Sequence, residues 1–249
     1  MNRRERGFSL LELAVVLGIM GIIGAAAMGM IGKRESRDHF SQQVHLQRFS
    51  QAVIGFARRN HRLPCPDTDG DALEDCGTAS VLGGLPFLTL EVGLSGAAGS
   101  ALARSFMYGL YRAPDVDADL GVLEERTGEQ KGDLGYLGRN DLVMALRNAH
   151  QASGSEHRLR VAGPQSTGAS SACGSDWRNV AFVLAYSASR DADRLASPSS
   201  DFDGANGHLV WPTGGATSCV ENPAVGQSEH YDDTVIAVSF TELLGYLIR

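Results

Sequence analysis

The chain reads as an α+β protein: a long N-terminal helix followed by a globular head built on an antiparallel β-sheet. Three observations predict this. An apolar, almost uncharged run opens the chain, an amphipathic continuation follows it, and short apolar strands rich in β-branched or aromatic residues gather late in the sequence.

The opening run extends over residues 8–32, and Glu12 is its only charge. As a helix it is roughly 37 Å long, enough to cross a hydrocarbon core of about 30 Å with some tilt. Arg3, Arg4, Glu5 and Arg6 precede it. Their net positive charge places the N-terminus in the cytoplasm and the remainder across the membrane. Glycines punctuate the run, and Gly21, Ala25 and Gly29 repeat every four residues to form one small-residue face. Beyond Gly32, Phe40, Val44, Leu46, Phe49, Val53, Ile54 and Phe56 recur at helical spacing among Arg and Gln residues. That pattern predicts a half-buried helix to about residue 60, which Pro64 and Pro66 then stop.

In the head, residues 180–186, 207–211 and 234–240 read as strands, and 159–162 as a weaker one. Asn140 or Asp141 is positioned to cap a helix running to about residue 151. Residues 241–247 read as a short closing helix. The stretches 163–176 and 190–206 are loops rich in Gly, Ser and Asp.

With 249 residues, the chain suits one sizeable domain with an appendage, and 43% apolar residues suffice for a core. The formal charge of −7 argues against a dedicated nucleic-acid binder. Dinucleotide and phosphate loops, the zinc-protease His-Glu-x-x-His and the Gly-x-Ser-x-Gly nucleophile elbow are all absent, and the seven histidines show no ligand spacing. No catalytic residue is nominated. All four cysteines, Cys65, Cys76, Cys173 and Cys219, follow the apolar run, which suits an oxidising compartment and two disulfides. Three pairings are open; the turn-rich stretch shared by each pair favours Cys65–Cys76 and Cys173–Cys219.

Glu12 is the informative residue. A carboxylate inside a bilayer costs about 2.5–3.5 kcal/mol on insertion scales. A plain signal peptide or signal anchor leaves that cost unexplained. The segment Gly7-Phe8-Ser9-Leu10-Leu11-Glu12 behind a basic leader resembles the type IV prepilins and type II secretion pseudopilins. The resemblance implies a lollipop with residues 1–7 as leader, 8–32 as the membrane and assembly half of the stem, 33–61 as its amphipathic half and 62–249 as the head. It implies cleavage between Gly7 and Phe8 by a prepilin peptidase, N-methylation of Phe8, and a role for Glu12 in assembly. The implied partners are that peptidase, other pilin or pseudopilin subunits and an inner-membrane assembly platform. The implied location is the bacterial inner membrane in a single pass with the head in the periplasm, and then a periplasmic or extracellular filament. Nucleic acid is a partner only through a DNA-uptake pilus. Weaker matches follow at Arg62-Leu63-Pro64-Cys65-Pro66-Asp67 and at Tyr231-Asp232-Asp233-Thr234-Val235.

The expected function is a structural filament subunit, a minor pilin or pseudopilin, and not an enzyme. The alternative is a membrane-anchored adhesin or binding module whose helix is only an anchor. No cofactor is required, but calcium is a candidate. The major pseudopilin binds calcium in a loop before a similar Asp-Asp turn, and by that resemblance Asp191, Asp193, Asp201, Asp203, Asp232 and Asp233 are the candidate ligands. Asp67, Asp69 and Asp71 alternate in a second acidic loop, although the EF-hand spacing fails there. For both sets, a solvated Asp-Gly turn is the competing reading. Asp115, Asp117 and Asp119 read as a solvated loop, and Trp177 and Trp211 as core.

Overall fold

The computed structural model describes residues 10–93, 102–123, 138–152, 158–164, 166, 173, 176–187, 202–215, 218–228 and 230–248; side chains at 10–12 and 24–41 lie outside that description. The chain forms two compact units, Met1–Val44 and His45–Arg249. Helix α1 (Leu10–Asn60) contributes to both.

In the first unit, the described side chains from Leu13 to Ile23 are apolar and exposed around the whole helix, and Gly18 and Gly21 meet nothing within 4 Å. Among the described residues no helix is long and apolar enough to cross a membrane. The expected span, 8–32, lies partly outside them.

In the second unit, α1 buries Leu46, Phe49, Val53, Ile54, Phe56 and Ala57, a stripe at three- and four-residue steps. Val44, expected in that stripe, is instead 46% exposed. His61 ends the helix in the left-handed region (φ 55°), its N–H donating to the Ala57 carbonyl at 2.9 Å.

The strands are β1 (Leu82–Gly84), β2 (Phe106–Leu110), β3 (Arg160–Ala162), β4 (Trp177–Asn179), β5 (Phe182–Tyr186), β6 (Leu209–Val210), β7 (Gly214–Gly215), β8 (Cys219–Val220) and β9 (Thr234–Val238). A four-stranded antiparallel sheet has the order β1-β2-β5-β9. A smaller sheet has the order β4-β3-β8, and its β3–β8 pair is parallel. The expected α+β architecture with an antiparallel sheet is present, and among the described residues a small mixed sheet and the β6–β7 ribbon accompany it.

Alternation along the strands of the larger sheet builds two cores. Phe106, Tyr108, Leu110, Phe182, Leu184 and Val238 share one core with α1, with helix α2 (Arg139–Gln151) and with helix α3 (Phe240–Ile248). Phe49 is its centre, edge-on to Phe106 at 4.8 Å and to Phe87 at 5.3 Å. The opposite face supplies Met107, Val183, Ala185 and Val235 to a second core with Leu159, Val161 and Val220 of the smaller sheet. Gly109 lets the layers approach there: a Cβ would come within 2.5 Å of Leu82 and 3.0 Å of Leu159.

The cap of α2 is Gly138 rather than Asn140 or Asp141. Asp141 reaches back and accepts the Gly138 N–H at 2.6 Å. Arg58 of α1 donates from Nε (2.9 Å) and Nη2 to the Tyr246 carbonyl, satisfying an end group of α3. The disulfides are Cys65–Cys76 and Cys173–Cys219.

Candidate functional site

Of the processing and assembly residues, Gly7 and Phe8 lie outside the described residues. Glu12 lies within α1, but its side chain is outside that description. The neighbouring described surface is chemically clear. Leu13, Val15, Val16, Leu17, Ile19, Met20, Ile22 and Ile23 are all at least 44% exposed. A continuous apolar girdle of this kind marks a surface meant for lipid or for other protein chains.

The acidic candidates separate. Asp191, Asp193 and Asp201 lie outside the described residues. Asp203, Asp232 and Asp233 come together although about 30 residues separate them in sequence. One carboxylate oxygen from each falls within 4.8 Å of the others. Oxygens sharing a calcium ion at about 2.4 Å stand at most about 4.8 Å apart, so this spacing is compatible with a common ion.

This cluster is built from turn chemistry and burial. Asp203 precedes a single 3-10 turn, Gly204–Asn206, whose residues are buried. The Asp203 carboxylate accepts the Asp232 N–H at 3.0 Å. The Asp203 N–H in turn donates to Asp233 Oδ2 at 2.9 Å. Asn206 Nδ2 reaches the same Oδ2 at 2.9 Å and the Tyr231 hydroxyl at 3.3 Å. Asp233 is 3% exposed, and its other oxygen, Oδ1, is buried with no hydrogen-bond partner among the described residues. Burial pushes the Asp233 carboxyl well above its ordinary pKa, against the pull of the Asn206 and Asp203 donors. Burial raises Tyr231 too, with Asp233 and Glu221 adding to the effect.

The sequence reading missed Glu221, which is fully buried beside the 3-10 turn. Its carboxylate accepts the Asn222 N–H at 2.8 Å and faces the Ala205 N–H at 3.4 Å. Its own N–H donates to Asn206 Oδ1 at 2.8 Å. Buried carboxylates in this density require protons or a cation for neutrality. An all-oxygen donor set that includes the buried Asp233 Oδ1, without a hydrogen-bond partner among the described residues, is of the kind that calcium takes.

Asp67, Asp69 and Asp71 also bring carboxylate oxygens within 4.8 Å of one another, but each is engaged in turn bonds. Asp67 is buried and spends both oxygens on its own turn: Oδ1 accepts Asp69 and Gly70 N–H, and Oδ2 accepts Ala72 N–H at 2.9 Å. Asp69 and Asp71 are exposed and accept the backbone N–H groups two residues ahead, at 3.0 and 2.7 Å. Arg62 anchors the loop through a two-pronged pair with Glu74 at 2.7 and 2.6 Å. The reading of 115–119 as wholly solvated is corrected at Asp119, which is buried and paired with Arg112 at 2.8 Å. Trp177 and Trp211 are half-buried and lie under the guanidinium groups of Arg160 and Arg104. Trp211 packs against the second core, as expected, whereas Trp177 is corrected to a half-buried place outside either core cluster.

Residues 2–28 match the family model described as the prokaryotic N-terminal methylation motif. Comparison with curated proteins and with solved structures gives no match.

Proposed function

We propose that this chain, which carries at residues 2–28 the signature of type IV prepilin- and pseudopilin-like proteins, is a structural subunit of a type IV pilus or type II secretion-like filament. The reading places it as a minor pilin or pseudopilin rather than an enzyme. The observation that carries it is the methylation motif, and the apolar girdle from Leu13 to Ile23 agrees with it. A surface of that kind needs lipid before assembly and neighbouring stems after it.

The chemistry falls on three residues. A prepilin peptidase cuts between Gly7 and Phe8 on the cytoplasmic side, and Phe8 becomes an N-methylated ammonium. Glu12 carries the opposite charge in the same apolar segment. Pairing Glu12 with the ammonium of a neighbouring subunit offsets two desolvation costs, and removing one partner of a buried pair costs about 3–5 kcal/mol. Methylation keeps the charge and so preserves the pairing. The head then faces the periplasm and travels outward with the filament, its disulfides suited to that compartment.

The mature N-terminus tests this directly. Mass spectrometry of protein recovered from cells should find methylated Phe8 first; an intact Met1 would instead leave an anchored binding module. Glu12→Ala should be cleaved normally yet be missing from sheared filaments. Normal incorporation of that variant would remove the pairing mechanism.

A second reading concerns the head, where the bare Asp233 Oδ1 favours a calcium ion held by Asp203, Asp232 and Asp233. The ion would supply two positive charges to a buried acidic pocket and lock the 3-10 turn to the approach to β9. Calcium at a hundredfold its Kd should stabilise the detergent-solubilised chain by about 2.7 kcal/mol, read as a rise in Tm. An unchanged melt between millimolar calcium and chelator would rule the ion out.

A further inference from the structure

Asn206 is the hub of the buried network, and the placement of its hydrogen bonds is asymmetric. Nδ2 donates to Asp233 Oδ2 and to the Tyr231 hydroxyl, while Oδ1 accepts the Glu221 N–H. Asn206 thus ties its own turn to two separated parts of the chain: the Tyr231–Asp233 stretch leading into β9, and the segment after β8. Asp233 Oδ2 already receives the Asp203 N–H as well, so it is fully engaged. The carboxylate is thereby fixed in rotation, and Oδ1 is the oxygen left over, buried and without a hydrogen-bond partner among the described residues.

We infer that Asn206 is a positioning residue for the cation site: by occupying Asp233 Oδ2 it turns Oδ1 toward the ion, and by gripping the Glu221 N–H it fixes the turn that carries Asp203. This rests on the calcium reading and adds a residue that does not itself touch the ion. The amide is suited to the task because it donates at one end and accepts at the other without charge. A carboxylate at 206 would keep the acceptor for Glu221 N–H but lose the donor, and would set a further negative charge against Asp233 Oδ2. Outer-shell partners of this kind typically change metal affinity 10–100-fold when removed.

The test uses the full chain in nonionic detergent with calcium alone as probe, read by calorimetric titration and by the melt in chelator. Asn206→Leu should weaken calcium binding at least tenfold. In an Asp233→Asn background the same change should cost clearly less than in the wild-type chain, because one of its two routes to the ion has already been removed. Asn206→Asp covers the case in which the leucine variant fails to fold. It too should bind calcium more weakly than wild type despite the added charge. Tighter binding by Asn206→Asp would mean that charge count governs the site and would overturn the inference. So would a folded Asn206→Leu that binds within threefold of wild type, or an equal loss in both backgrounds; in each case the calcium reading stands. Absence of calcium binding by the wild-type chain would overturn both.

Discussion

Two stretches of helix α1 carry the same kind of side chain and meet opposite fates. Leu46, Phe49, Val53 and Ala57 are fully buried, while Leu17, Met20, Ile22 and Ile23 are 62% exposed or more. Helix propensity does not separate them, since both stretches are helical. What separates them is the partner. The outer stretch meets a sheet supplied by its own chain, and the inner one presents apolar surface in every direction. Each large aliphatic or aromatic side chain left uncovered forgoes about 1.5–3 kcal/mol. Among the described residues nothing covers the inner stretch, so its stability cannot be judged from them alone.

The largest expected effect sharpens this contrast. Phe49→Ala removes the ring that packs against Phe87 and Phe106 and should destabilise the head by about 3–5 kcal/mol, measured by denaturant unfolding in detergent. Ile19→Ala should leave that unfolding curve within about 0.5 kcal/mol of wild type, because Ile19 is 52% exposed. Its effect should show instead as reduced recovery in filaments. A comparable loss of head stability from both variants would erase the distinction. Arg58→Ala gives a smaller effect, about 1 kcal/mol, through the lost bonds to the Tyr246 carbonyl. Hydrogen exchange should localise that loss to the last turn of α3.

The smallest effect is a titration. Asp75 is held below its ordinary pKa by the Thr68 hydroxyl (2.7 Å) and then by the Thr68 N–H (2.6 Å). Its contribution to stability is thus present above the ordinary carboxylate range, near pH 3.9, and is lost as pH falls through the depressed value. Thr68→Val should move the Asp75 titration upward in a carbon-detected NMR experiment. An unmoved titration would show that the backbone N–H alone sets it.

The same contrast explains what the sequence made legible. The stem is a one-dimensional pattern: an apolar run, a helical stripe and two prolines, so its extent to Asn60 could be read directly. Strands β5 and β9 are five-residue runs rich in β-branched and aliphatic residues, β5 buried at four of its five positions, and they too stood out. Strand β2 did not. Phe106-Met107-Tyr108-Gly109-Leu110 is central to the sheet, yet its glycine argues against a strand until the close approach of Leu82 and Leu159 is known. In the acidic site, the Asp-Asp turn and Asp203 were legible as residue types. Glu221 was not, because Glu221-Asn222-Pro223 reads as an ordinary loop. Only the fold brings it beside residue 205 and removes its water. Burial of a charge is a three-dimensional fact, and no local spacing encodes it.

Chain order gives the position of β9 one more consequence. Residues 234–238 pair with β5, and Val238 completes the core around Phe182, so the central sheet remains open until that segment leaves the ribosome. At about 5–20 residues per second, roughly 10–45 s separate the emergence of Ile23 from that of Val238. The oily girdle is thus on offer during synthesis well before the head can close.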